Sequence, residues 1–234
     1  MQENYKKTFT ITNNQLDKND HLTLGAILDL IQEVSGNHAD TLNCGFDDLI
    51  KRRLIWVVVR HHIEFKNHLH VGKFVEIETY PLKRRFVEYP REVKMYDNGQ
   101  LFLVCNTTWV VVDLDNFNFK SEDLHGDDVT RESYFDKRFS KLPRKNKDEL
   151  QFSKTAKVEY STLDHNGHMN NSRYLTWFLD IFREERDPKN FQIEYLKQCF
   201  LDENVDLYVS DEKDTKELYG FNGDELKFYC RAEY

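Results

Sequence analysis

The sequence predicts an α+β protein built as a duplicated unit, and three observations carry that expectation. An amphipathic helical pattern followed by several β-like stretches occurs twice along the 234 residues. Residues 7–28 (KTFTITNNQLDKNDHLTLGAIL) lie without a gap over residues 154–175 (KTAKVEYSTLDHNGHMNNSRYL), a shift of 147, with Lys, Thr, Leu, Asp, Asn, His and Leu coinciding. A second gapless match, at a shift of 130, lays residues 61–80 over 191–210, so that Ile63, Glu64 and Phe65 fall on Ile193, Glu194 and Tyr195. The two matches keep the same order along the chain.

The elements follow in turn. In LTLGAILDLIQEVSGNH the residues Ile27, Leu30, Ile31, Val34 and His38 recur at three- and four-residue steps, and Thr23 is placed to cap the start of a helix. The stretches LIWVVVRHHIEF, FVEIETY, FVEYPREVKMYD and LFLVCNTTWVVVDLD then read as strands, the last two joined by a turn at Asp97, Asn98, Gly99 and Gln100. In the second half, Tyr174, Trp177, Phe178 and Ile181 mark a helix with Asn170 as its expected cap. FQIEYLKQCF, VDLYVS, KELYGF and LKFYCRAEY follow it as strands.

Composition bounds the function. A chain that is 39% hydrophobic and 14% aromatic can bury a real core. Its longest apolar run, residues 54–59, is far too short for a bilayer, and MQENYKKTFT has no signal-like apolar stretch. A soluble, cytoplasmic protein with no membrane partner is expected. Cys44, Cys105, Cys199 and Cys230 lie far apart with no CxxC pair, which favours reduced thiols over a disulfide framework or a zinc knuckle. A net charge of −8 argues against nucleic acid as a partner. Residues 120–150 begin acidic (Glu122, Asp123, Asp127, Asp128) and end basic (Lys137, Arg138, Lys141, Arg144, Lys145, Lys147), which reads as a surface connection. The sharper alternative is a basic landing patch, extended by Lys83, Arg84, Arg85 and Arg91.

The run STLDHNGHMNNSRYLTW, residues 161–177, carries the chemistry. As an EF-hand loop it fails, because Gly167 sits at the fourth position and Leu175 occupies the twelfth, where a bidentate Glu is needed. Zinc would need further ligands, and Cys199 with His61, His62, His68 and His70 shows no diagnostic spacing. No metal and no cofactor is expected. If residues 164–168 run extended into a helix opening near Asn170 and Asn171, then Asp164, Asn166 and His168 share one face, with His165 on the other. A carboxylate, an amide, an imidazole and a helix N-terminus are parts for activating water against an acyl group. An Asx-turn and a helix cap explain the same residues structurally.

Beyond the residues themselves, LDHNGHMNNSRYLTWFLD resembles the D-x-N-x-H-x-N-N-x-x-Y-x-x-W signature of the acyl-acyl carrier protein (acyl-ACP) thioesterases of plant plastids and bacteria. LDLIQEVSGNHA is similar to that family's first long helix, RRLIWVVVRHHIEF and TTWVVVD to two of its strands, and IEYLKQCFLDENVDLYVS to the stretch after its second helix. The resemblance implies a tandem (double) hotdog, two long central helices each wrapped by an antiparallel sheet. It implies an N-terminal hotdog that shapes the acyl pocket (1–120), a linker (121–150) and a catalytic C-terminal hotdog (151–234). It implies hydrolysis of fatty acyl-ACP to free fatty acid and ACP, ending chain elongation, with ACP as the partner and a monomer or homodimer as the assembly. A hotdog acyl-CoA thioesterase, a related dehydratase and a non-catalytic acyl-binding module are the alternatives.

Carried over residue by residue, Asp164, Asn166 and His168 are the catalytic set, and Cys199 stands at the family's cysteine. Gln198 departs from the family, which has Glu there; an amide can hold a water but cannot take its proton. The open choice is between Asp164 activating water and Cys199 acting as a nucleophile. In the first copy Asp17, Asn19 and His21 echo the motif, while His68 and Leu69 fall on Gln198 and Cys199. That copy is expected to be structural or vestigial.

Overall fold

In a computed structural model, which describes residues 4–124, 132–135 and 141–234, the chain divides into two units, Met1–Arg138 and Phe139–Tyr234. In the first unit the four expected stretches become β2 (Leu54–Phe65), β3 (Phe74–Pro81), β4 (Glu88–Asp97) and β5 (Gln100–Asp113), and two strands not expected from the sequence join them, β1 (Tyr5–Thr10) and the short β6 (Phe119–Lys120). They pair antiparallel in the order β1-β3-β4-β5-β2, with β6 on β5. In the second unit β7 (Gln151–Lys157), β8 (Asn190–Tyr195), β9 (Asn204–Glu212), β10 (Thr215–Asn222) and β11 (Glu225–Glu233) pair antiparallel in the order β7-β9-β10-β11-β8. The strand order is the same in both.

The repeat extends to individual hydrogen bonds. Ile11 N donates to Lys73 O at 2.8 Å, and Val158 N to Glu203 O at 2.9 Å. Thr23 N donates to Gln15 O at 3.0 Å, and Asn170 N to Thr162 O at 2.9 Å. Leu22 N donates to Leu69 O at 2.9 Å, and Met169 N to Cys199 O at 2.9 Å. The Thr23–Gln15 bond reappears displaced by 147 at both ends, and the other two reappear displaced by 147 on the N-terminal segment and by 130 on the later one, the same two shifts that the sequence shows.

Each sheet carries a helix on one face. The first, α1 (Leu24–Thr41), starts where Thr23 Oγ1 accepts from Ala26 N at 3.2 Å, and buries Ile27, Leu30, Ile31, Val34 and His38. It lies against β1 and β3, and a one-and-a-half-turn helix α2 (Phe46–Lys51) follows it. The β4–β5 turn falls at Asn98 and Gly99, both at positive φ (47° and 79°), the conformation a two-residue hairpin needs.

The second helix differs from expectation. It is α3 (Tyr174–Phe182), half the length of α1, with Arg173 rather than Asn170 at its N-cap. Asn170 Oδ1 instead accepts from Ser172 N at 3.0 Å and Ser172 Oγ at 3.1 Å, while Tyr195 Oη donates to Asn171 O at 2.7 Å. Those bonds hold residues 171–173 as a turn and delay the helix. From Tyr174 onward, aromatic packing takes over. Tyr174 meets Phe228 edge-on (4.7 Å) and Phe178 meets Phe191 edge-on (5.6 Å), which seats α3 on β8 and β11.

The connecting segment is bound rather than merely solvated. Ser133 Oγ and Tyr134 N each donate to Glu92 Oε2 at 2.8 Å. Leu142 N donates to Glu194 Oε1 at 2.8 Å, Lys145 Nζ pairs with Glu217 at 2.9 Å, and Lys147 Nζ stands 5.0 Å above the Tyr208 and Phe221 rings. The basic side chains at 144–147 therefore strap the segment onto its own sheet, while Lys137 and Arg138, with the acidic Asp127 and Asp128, lie outside the described residues. Arg91 likewise leaves the candidate basic surface. It is buried, donating to Thr79 Oγ1 at 3.2 Å with His38 Nδ1 at 2.8 Å, and burial pulls its guanidinium down to about 10. Among the described residues no helix is long and apolar enough to cross a membrane.

Gly220 is a packing constraint. The register of β10 on β11 shifts between Gly220 and Phe221, and a Cβ at 220 would run into the ring of fully buried Phe228. Gly220→Ala should cost about 1–3 kcal/mol through overpacking. Denaturant unfolding should show a lower midpoint with an unchanged slope.

Candidate active site

Residues 164–168 are not extended. Asp164, His165, Asn166 and Gly167 form a tight turn in which Gly167 N donates to Asp164 O at 3.1 Å, closed by Asp164 N to His168 O at 2.8 Å and by the Leu163–Met169 bridge. Asp164 Oδ1 accepts from Asn166 N at 2.8 Å and from His168 N at 3.3 Å. The Asx-turn arises because the short Asp164 carboxylate can reach the backbone N–H groups two and four residues on, while Gly167, three residues on, supplies the positive φ (78°) that the turn needs. Strand alternation therefore does not set which way these side chains point. Asn166 and His165 are exposed on the turn, and Asp164 and His168 are half-buried at its base.

The first copy repeats this turn bond for bond. Asp17 Oδ1 accepts from Asn19 N at 2.8 Å and His21 N at 3.0 Å, Asp17 N donates to His21 O at 2.8 Å, and Asp20 takes the left-handed place of Gly167 at φ 61°. An Asp tolerates that conformation better than most side chains.

A second segment closes on the turn. Met169 N reaches Cys199 O, His168 forms an antiparallel bridge with Phe200, and the two rings meet edge-on at 5.0 Å. His168 and Cys199 are thus on adjoining backbone segments, with Gln198 one residue before the cysteine and exposed at the surface. Cys199 is fully buried, and its thiol is hydrogen-bonded with the Tyr174 hydroxyl. Burial pushes the thiol up to about 11, the Tyr174 bond opposing it. About one molecule in ten thousand would then carry the thiolate at pH 7.

Phe200, Glu203, Lys227 and Tyr195 complete the surroundings and were not singled out from the sequence. The sequence carried no signal for Lys227: by strand alternation it falls on the side of Tyr229, Arg231 and Glu233, a largely polar set, and only tertiary packing buries it.

The profile of the acyl-ACP thioesterase N-terminal domain matches residues 2–121, and that of the acyl-ACP thioesterase C-terminal domain matches residues 145–225. The chain belongs to the acyl-ACP thioesterase family. It is 28% identical over 247 residues to oleoyl-acyl carrier protein thioesterase 1, chloroplastic, of Arabidopsis thaliana, covering 94% of this chain and 66% of that protein. It is 27% identical to the chloroplastic dodecanoyl-[acyl-carrier-protein] hydrolase of Cinnamomum camphora, covering 85% of this chain and 57% of that one. The chain thus spans about two thirds or less of the length of these relatives. Among solved structures, an acyl-ACP thioesterase from Bacteroides thetaiotaomicron superposes with TM-score 0.89 at 18% identity, covering 99% of this chain and 97% of that one. The 12:0-ACP thioesterase of Umbellularia californica superposes at 0.87 with 19% identity, covering 100% and 97%. The fold is the family's tandem hotdog.

Because the Asp164 carboxylate closes its own turn, two substitutions separate structure from chemistry. Asp164→Asn keeps an oxygen acceptor for Asn166 N and His168 N, and should melt within a few degrees of the wild type. Asp164→Ala leaves both N–H groups without that acceptor and should lose about 1–2 kcal/mol. Thermal melts of the two proteins side by side check this.

Proposed function

We propose that the chain hydrolyses the thioester of fatty acyl-ACP, releasing free fatty acid and ACP and ending chain elongation, with catalysis in the C-terminal unit. Membership of the acyl-ACP thioesterase family supports the substrate class. The observation that carries the site is the Asp164 turn stitched to the 199–200 segment through Met169 N and the His168–Phe200 bridge.

In this reading Asp164 takes a proton from the attacking water with the carboxylate oxygen that the turn does not occupy. The hydroxide adds to the thioester carbonyl carbon, and the developing oxyanion is met by the His168 imidazole N–H and the Asn166 amide. Collapse of the tetrahedral adduct breaks the carbon–sulfur bond, and the proton held by Asp164 passes to the departing phosphopantetheine sulfur. Gln198 hydrogen-bonds the water without accepting its proton. Cys199 packs beneath the site. Its burial and the resulting scarcity of thiolate favour water over the thiol as nucleophile. The N-terminal unit (1–120) shapes the acyl pocket, and residues 121–150 serve as the linker. The four buried thiols suit a reducing compartment, the cytoplasm in this reading.

Single-turnover hydrolysis of acyl-ACP and acyl-CoA thioesters of several chain lengths tests the substrate. Faster turnover of the ACP thioester, with a rate that falls as salt rises, is expected for docking of an acidic carrier. Equal rates on both would assign the chain to acyl-CoA, and binding without turnover would make it an acyl-binding module.

The nucleophile is tested by pH. A thiol held up near 11 forms thiolate steadily as pH rises towards that value, so a cysteine mechanism makes the rate climb about tenfold per pH unit from 7 to 10. The water mechanism gives no such climb, and Cys199→Ala should retain the rate within about tenfold.

A further inference from the structure

The two copies provide an internal control, because they share the turn but not what lies beneath the segment that closes on it. In the first copy, Phe102 O accepts from Lys66 N at 2.8 Å and Asn67 N at 3.4 Å; in the second, Lys227 O accepts from Leu196 N at 2.8 Å and Lys197 N at 3.0 Å. The same backbone position thus carries a buried phenylalanine in one unit and a buried lysine in the other. The position whose carbonyl receives Ile11 N or Val158 N changes with it, from Lys73 to Glu203. An apolar residue with a lysine has become an ion pair.

That pair is aimed at the candidate site. Lys227 Nζ lies 2.8 Å from Glu203 Oε1 and 3.1 Å from Glu225 Oε2, and donates to Gln198 O at 3.3 Å. Glu203 Oε2 accepts from Phe200 N at 2.9 Å, and Glu203 Oε1 also accepts from Asn222 Nδ2 at 2.7 Å. Only 9% of the Lys227 side chain and 11% of the Glu203 side chain are exposed. Burial works against the ammonium, and its bonds to Glu203 and Glu225 more than offset that, holding it charged above its ordinary range. A buried pair of this kind adds little net stability over apolar packing. The first copy closes the same segment on Phe102 without it.

We propose that Lys227 and Glu203 are positioning residues for the reaction. Together they fix the carbonyl of Gln198 and the N–H of Phe200, and through Phe200 they set the His168 ring against the thioester. This rests on the function proposed above, with catalysis in the second copy. The link runs Lys227 to Glu203, Glu203 to Phe200 N, and Phe200 to His168 by bridge and ring edge. Glu203 needs both carboxylate oxygens as acceptors, one for Phe200 N and one for Lys227 and Asn222. Glu203→Gln supplies a single acceptor and must break one side of the link, whereas Glu203→Asp keeps both acceptors on a shorter arm.

The test uses the full chain with labelled histidine, the His168 ring resonance being assigned by its loss in His168→Asn. In Glu203→Gln the resonance should shift as the Phe200 ring moves, and kcat per folded molecule on acyl-ACP should fall about tenfold while KM stays within about twofold. Glu203→Asp should restore both in part. Folded fractions come from thermal melts, so lost stability is not read as lost catalysis. An unmoved His168 resonance in Glu203→Gln overturns the proposal, and so does a moved resonance with wild-type kcat per folded molecule. If the wild-type protein fails to turn over acyl-ACP, the proposed function fails by itself, and the His168 resonance still decides whether the link exists.

Discussion

The candidate site depends on one small interaction, a carboxylate oxygen that accepts two backbone N–H groups of its own turn. Asp164 does this for Asn166 and His168, as Asp17 does for Asn19 and His21. With the backbone bonds of the turn, this interaction fixes five residues into a tight loop, and it delivers an imidazole to the loop's exit, beside the segment that follows the next strand. A strand would have spread the same residues along an edge. The turn gathers them, and it does so with the carboxylate that the proposed mechanism uses as proton acceptor.

The duplicated scaffold separates what the fold requires from what the chemistry uses. The turn, the strand order and the hydrogen bonds at shifts of 147 and 130 are common to both units and therefore belong to the fold. The differences are local: Leu69 against Cys199, His68 against Gln198, His70 against Phe200, Lys73 against Glu203, Phe102 against Lys227, and an 18-residue helix against one of 9. Most of them lie on or under the single segment that closes on the turn. One copy has an apolar and imidazole-rich closure; the other has a buried ion pair and a thiol held against a tyrosine.

Much of this was legible in the sequence because periodicity and self-similarity report backbone geometry directly. Thr23 as a cap, the buried stripe of α1, the turn at Asn98 and Gly99 and the two gapless matches all follow from local rules. Three features did not follow. Asn170 looks like a cap, but its carboxamide oxygen is taken by Ser172, so the helix waits for the aromatic packing of Tyr174. Asp164, Asn166 and His168 alternate as if on a strand, yet the carboxylate prefers its own backbone. Arg91 reads as surface charge, and tertiary packing buries it against His38 and Thr79. In each case a polar side chain found a partner that spacing alone cannot reveal.

The central claim is that two turns of the same construction have divided roles, scaffold in the first copy and chemistry in the second. Hydrolysis of one acyl-ACP thioester by Asp17→Asn and Asp164→Asn, measured side by side, tests it most directly, since asparagine keeps each turn closed and removes only the proton acceptor. Asp17→Asn should keep a rate within about twofold of wild type, and Asp164→Asn should lose about a hundredfold or more. A full rate in Asp164→Asn, with the loss appearing in Asp17→Asn, would contradict it.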